Sequence, residues 1–324
     1  MLQHNTEIPM RRSFFYGAVL TLSLASVAAA EVPSVAVDIP PVHSLVAKIM
    51  EGVGTPNLIV QPGASPHGYS LRPSEAAALQ GADIVFWVSE DLTPWLKGPI
   101  EALAKDAKSV ELLETKGTTE LEFREGAAFE KHGHAEGDHE EHVQDEDDHG
   151  HDDHAHDPHA WLDPENARIW LDVIAKDLAL IDPENADAYA ANATASKAEL
   201  AALITEINTD LETFRGTNFI VFHDAYQYFE NRFDILAIGA ITLGDASDPS
   251  PARIAEIRDK VAELGVTCAF AEPQFNPGLL QAVFQGTGAI TGVLDPVGSD
   301  LPLGTDLYRQ LLRNLASNLG ACLK

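Results

Sequence analysis

Short apolar runs recur along the chain, and segments with helical spacing fill the intervals between them. VAVDI (35–39), NLIVQ (57–61), DIVFWV (83–88) and KSVEL (108–112) read as strands, with helices at 42–52, 73–81 and 92–106. Proline or glycine marks the junctions in PPVHS, RPSEA and KGPIE. The alternation predicts βα units and a mainly parallel sheet. It stops after residue 115 and does not resume before 158, and a stretch of that length without periodicity is a functional loop or disorder.

Residues 163–214 are helical in composition. Two successive segments both begin Asp-Pro-Glu-Asn, which places an N-cap aspartate, a proline at the first helical position and acid in the first turn. The second runs on without Gly or Pro for about thirty residues, a rod of ~45 Å at ~1.5 Å per residue. The βα pattern then returns: NFIVF, a helix around 224–232, DILAIGA, a helix at 251–264, VTCAF, a helix near 277–285, AITGVL and a last helix at 304–321. The predicted fold is α/β, two lobes with mainly parallel sheets joined by a long rigid helix. The expected boundaries are an N-terminal lobe over 31–182 with a loop at 115–158, a linking helix over 183–215 and a C-terminal lobe over 216–324.

The first thirty residues stand outside this scheme. Arg11 and Arg12 precede the apolar run FFYGAVLTLSLASVAAA, and small residues at Ala28 and Ala30 lead to Glu31, the layout of a secretory signal peptide cleaved near Ala30. The arginine pair leaves twin-arginine export open beside the general route. No later segment approaches the ~20 continuous apolar residues of a membrane span. Export gives the two cysteines a reading. In an oxidising compartment Cys268 and Cys322 can form a disulfide that pins the C-terminus, worth roughly 4 kcal/mol for a loop of that size. Two buried free thiols are the alternative, and a thiolate metal site lacks the paired C-x₂-C spacing.

The formal net charge is −29. Nothing supplies the Lys/Arg stripe that phosphate binding needs, which excludes nucleic acid as a partner. Eleven of the carboxylates lie in residues 131–158, together with eight histidines: His132, His134, His139, His142, His149, His151, His154 and His156. Such a run cannot bury enough apolar surface to offset the entropy of ordering it. Its imidazoles and carboxylates also form a set of low-affinity ligands for divalent metals. Flexible ligands lose entropy on binding, so the loop is expected to gather metal weakly and raise its local concentration.

Open α/β sheets bind ligands beyond the carboxyl ends of their strands. Those ends carry His67 in PGASPHGYSLRPS, His223 in FHDAY and Asp295 in LDPVG, while His159 in DPHAWLDP closes the His-rich loop. Three histidines and a carboxylate can surround a tetrahedral Zn²⁺. Taken singly, each has a plainer reading as a hydrogen-bonded structural histidine or an aspartate opening a turn. Glu90 in WVSEDL and Glu272 in FAEPQ are candidates to orient a ligand imidazole or to sit at a helix start, and Trp87, Trp95 and Trp161 read as packing residues.

PHGYSLRPS, DPHAWLDP, FHDAYQYFE and FAEPQFNP, in this order and with an acidic His-rich insert before the second, resemble the motifs of the ZnuA-type periplasmic zinc-binding proteins. These are the cluster A-I metal solute-binding components of zinc ABC transporters. The resemblance extends over essentially the whole mature chain. It implies zinc held in the cleft between the lobes by His67, His159 and His223, with Asp295 or water in the fourth position, because Pro66 stands where some members carry a glutamate. It further implies a monomer that hands Zn²⁺ to a membrane permease and has no enzymatic activity. Manganese-binding relatives place a glutamate where this chain has His223, and three imidazoles suit Zn²⁺ better than Mn²⁺. The competing expectations are a manganese-binding member of the same transport family and an exported zinc hydrolase. Against the hydrolase, the H-E-x-x-H signature is absent.

Overall fold

In each βα unit the strand residues divide cleanly between two faces. Val35 and Val37 of strand β1 (Val35–Val37) and Ile84 and Phe86 of β3 (Ile84–Trp87) enter one apolar cluster, while Ala36, Val85 and Trp87 enter another on the opposite side. Period-two alternation with both faces apolar is what a parallel sheet covered by helices on both sides requires. The computed structural model describes residues 1, 32–124, 129, 156–242, 250–275, 284 and 288–324. The expected helix near 277–285 and most of the His-rich loop lie outside these residues.

The first sheet has the order β2-β1-β3-β4, with β2 at Asn57–Leu58 and β4 at Lys108–Glu111, and every pairing is parallel. Helices α1 (Pro40–Ile49), α2 (Pro73–Gln80) and α3 (Lys97–Leu103) connect its strands. Proline at the first turn starts both α1 and α2, and the Glu75 side chain returns to the Arg72 backbone to complete a capping box. The first helix therefore begins at the proline pair rather than at residue 42. Helix α3 is shorter than the expected 92–106, because 89–96 are spent on turns in which Leu92 N bonds Ser89 Oγ and Leu96 N bonds the Thr93 carbonyl.

The second sheet repeats the plan with the order β6-β5-β7-β8, all parallel: β5 at Phe219–His223, β6 at Ala240–Thr242, β7 at Cys268–Ala271 and β8 at Ile290–Val293. Phe219, Val221, Cys268 and Phe270 face the main core and Ile220, Phe222 and Ala269 the other side. Helices α6 (Gln227–Phe233), α7 (Pro251–Leu264) and α8 (Leu307–Cys322) accompany it. The strand expected at 234–240 starts only at Ala240. Asp234 caps α6 in the left-handed conformation (φ 55°), and residues 235–239 return the chain to the sheet before pairing begins.

Between the sheets run α4 (Pro164–Ile181) and α5 (Ala186–Leu211). Asp163 caps α4 through Glu165 N, with Pro164 next, as the Asp-Pro-Glu-Asn motif requires. The same motif at Asp182 produces a 3-10 turn first, so the long helix begins at Ala186 and spans 26 residues, ~39 Å at ~1.5 Å each. Its buried positions Tyr189, Ala193, Ser196, Leu200, Leu203, Ile207 and Leu211 form one stripe at spacings of three and four. That stripe packs against α1, α4 and α8, so one apolar cluster includes residues of both sheets' helices.

Cys268 at the start of β7 and Cys322 at the end of α8 form a disulfide with their Cα atoms 6.0 Å apart. The bridge closes a 54-residue separation. Replacing both cysteines by alanine is therefore expected to cost about 2–5 kcal/mol in denaturant unfolding, on the loop-entropy scale. A change below about 1 kcal/mol would show that α8 is held to the sheet by packing alone.

Candidate metal centre

The chemistry gathers where the carboxyl ends of both sheets meet. His223 is the last residue of β5, and Glu272 follows β7, its neighbour across the point where the second sheet's strand order reverses. This is where a doubly wound sheet opens a crevice. His67 lies on the loop between β2 and α2. Trp95 Nε1 donates to the carbonyl of Pro66 at 2.7 Å, and the Tyr69 hydroxyl donates to Glu75 at 2.7 Å, fixing the loop on either side of the histidine. His159 precedes a short 3-10 turn whose Trp161 donates to the Pro296 carbonyl at 2.7 Å.

The three imidazoles converge. Each of His67, His159 and His223 offers one ring nitrogen, and these lie within 4.8 Å of one another. Two rings are backed by carboxylates: His159 Nδ1 donates to Asp157 Oδ1 at 2.7 Å, and His223 Nδ1 donates to Glu272 Oε1 at 2.6 Å. With the protons held on Nδ1, the Nε2 lone pairs of both rings point inward and stand 3.3 Å apart. Nitrogens about 2.0–2.1 Å from a tetrahedral Zn²⁺ are themselves roughly 3.3–3.4 Å apart, so this spacing is one edge of a zinc coordination tetrahedron.

Burial sets the charge state of the group. Desolvation, with repulsion from His159 and His223 adding to it, lowers the His67 pKa to about 2. Desolvation, again with repulsion from His223, holds His159 well below the ordinary imidazole value. Neutral imidazole is the form that binds metal. Asp157 is pushed up to about 7 by its burial, against the hydrogen bond from His159 N and the attraction of Arg124. The cavity between the rings has a volume of about 20 Å³, walled by Pro66, Trp161, Phe275 and Pro296. That is close to one water-sized sphere, room for a single ion.

Asp295, expected as a fourth ligand, stands outside the histidine group. Its carboxylate accepts from Val297 N at 3.1 Å, Gly298 N at 2.9 Å and Ser299 N at 2.6 Å, so it organises its own turn. Of the loop histidines, His132, His134, His139, His142, His149, His151 and His154 lie outside the described residues. His156 pairs with Glu122 in an antiparallel bridge, and its Nε2 is 3.7 Å from Glu120 Oε2. Glu90 is exposed and pairs with Lys97, away from every ligand ring, whereas Glu272 takes the orienting role. Asp157 was not among the expected residues. Its signal was local: a carboxylate two positions before His159, in Asp-Pro-His.

Comparison with known proteins agrees with this geometry. The profile of the family described as "Zinc-uptake complex component A periplasmic" (ZnuA) matches residues 35–322. The chain belongs to the ZnuA family. The high-affinity zinc uptake system protein ZnuA of Brucella abortus is 46% identical over 325 residues, covering 96% of this chain and 97% of that protein. The protein of the same description from Paracoccus denitrificans is 43% identical over 304 residues, covering 91% and 93%. A crystal structure of ZnuA superposes with a TM-score of 0.72 at 26% identity, covering 91% of this chain and all of the other.

The carboxylate–imidazole pairs of this ZnuA-family chain generate two expectations. Asp157→Asn and Glu272→Gln should each weaken zinc binding by about 10–100-fold, the usual effect of removing a carboxylate behind a ligand histidine. Competition titration with a chromogenic chelator measures this, and unchanged affinity in both would show that the rings are positioned by packing. The second concerns pH. His67 and His159 have no proton to lose when metal arrives, so between pH 7 and 5 affinity should fall with far less than the three protons per ion of three ordinary imidazoles. A slope near three would refute the neutral state assigned to these rings.

Proposed function

We propose that this protein captures Zn²⁺ with His67, His159 and His223 and delivers it to the permease of an ABC transporter for zinc uptake. The observation that carries the reading is the 3.3 Å approach of two carboxylate-backed Nε2 atoms, an arrangement suited to a cation lying between them. Membership of the ZnuA family supports zinc as the cargo and the periplasm as the place of capture. Three imidazoles and no anionic ligand in the group favour Zn²⁺ over Mn²⁺, which takes more oxygen donors. With Asp295 engaged by its own turn, we assign the fourth position to water.

The protein is a transport component and not an enzyme, as its ZnuA-type relatives are. A cavity of about 20 Å³ between the rings matches the size of an ion. We read the protein as acting as a monomer, with the signal peptide removed near Ala30.

Isothermal calorimetry of the wild type beside His67→Ala and His223→Ala tests the assignment. The wild type should take up one tight zinc equivalent, and each variant, having lost a ligand itself, should lose affinity by at least about a hundredfold, the upper end of what removing an outer-shell partner costs. Retention of the tight equivalent by either variant would overturn the cleft site.

A further inference from the structure

Both flanks of the His-rich insert are built into the contact between the two halves of the molecule. On the near side, Leu121 N donates to the Tyr228 hydroxyl at 2.9 Å, and that hydroxyl donates onward to the Asp157 carbonyl at 2.7 Å. The flanks are tied to each other by Asp157 N to the Leu121 carbonyl at 2.8 Å and by the bridge between Glu122 and His156. Two residues further on, Arg124 reaches across to α6. Its Nε lies 3.1 and 3.0 Å from the two carboxylate oxygens of Asp224, to which Nη2 also donates. Nη1 donates to Glu230 at 2.6 Å and Nη2 to the same carboxylate at 3.3 Å. The guanidinium is closed off by Phe129, whose ring centroid is 3.6 Å away.

The position of this fork matters for the metal. Asp224 is the residue after His223, and Asp157, bonded to Leu121 three residues before Arg124, holds His159 through Nδ1. The connection thus runs from the His159 ring by hydrogen bonds through Asp157 to Leu121, along three residues of backbone to Arg124, and through its fork to Asp224, the residue beside the other ring. Asp224 and Glu230 are 3% and 2% exposed at the side chain, so each needs a cation to compensate it. A planar guanidinium satisfies both with fixed directions, which a point charge cannot do.

We propose that Arg124 is a positioning residue of the metal site, the clamp that sets the distance between His159 and His223 across the two halves. The proposal rests on the reading that these histidines hold zinc, and its test separates the two. Three variants serve: Arg124→Lys, which keeps the charge and loses the fork; Arg124→Gln; and Arg124→Gln with Asp224→Asn and Glu230→Gln, which leaves no buried charge unpaired. Zinc affinity is measured by competition titration and site geometry by the visible d–d bands of the Co²⁺-loaded protein, with His67→Ala alongside.

The lysine variant should bind zinc about tenfold more weakly and the glutamine variant about 10–100-fold more weakly, on the scale of outer-shell metal-site changes, with altered cobalt bands in both. The triple variant should remain at least about tenfold weaker than wild type, since neutralising the acids does not restore the directed contacts. Wild-type affinity with wild-type cobalt bands in the lysine or the triple variant would overturn the proposal. A tight zinc equivalent retained by His67→Ala would instead overturn the three-histidine site itself, whatever the Arg124 variants do.

Discussion

Two imidazole nitrogens whose lone pairs face one another at 3.3 Å repel unless a cation lies between them. The protein holds them there by fixing the protons on the far side of each ring, with Asp157 behind His159 and Glu272 behind His223. Each carboxylate is itself almost fully buried, so the tautomer cannot relax by exchange with solvent water. The favourable energy that would be lost in an empty site is recovered on metal binding, and this preorganisation separates a tight cleft from a set of flexible ligands.

The sheet topology makes that arrangement possible. His223 ends β5 and Glu272 directly follows β7, its parallel neighbour, so the two residues meet just beyond the ends of adjacent strands. His159 is set by different means. Its ring rests on a 3-10 turn locked by Trp161 to Pro296 and by the Tyr308 hydroxyl to the Trp161 carbonyl, which joins α8 to the same corner. His67 depends on Trp95 and Tyr69, whose rings lie 5.5 Å apart against the loop. The three histidines are therefore held by three separate devices, and the long stripe of α5 joins the cores behind them.

Much of this was legible in the sequence. Short apolar runs located the strands of both sheets except β6, which begins only where its expected run ends, and the Asp-Pro-Glu-Asn motifs marked the starts of α4 and, within a few residues, α5, because local capping chemistry decides both. His67 and His223 were visible beyond strand ends, and His159 at the close of the His-rich loop. What escaped was set by longer-range geometry. Asp295 has the right residue type and place, yet three backbone N–H groups of its own turn take its oxygens, and no spacing rule shows which acceptor a carboxylate will serve. Asp157 was hidden among the carboxylates of an acidic run, where only its contact with His159 distinguishes it from its neighbours. Trp95 gave the signal of a packing residue, and its indole N–H bond to Pro66 exists only once the two loops meet.

The most direct measurement is anomalous diffraction at the zinc edge from crystals of the loaded protein. One ion should lie about 2.0–2.1 Å from a ring nitrogen of each of His67, His159 and His223, with the Nδ1 atoms of the last two still bonded to Asp157 and Glu272. An ion elsewhere in the molecule, or one bound by fewer than three of these rings, would refute the site described above.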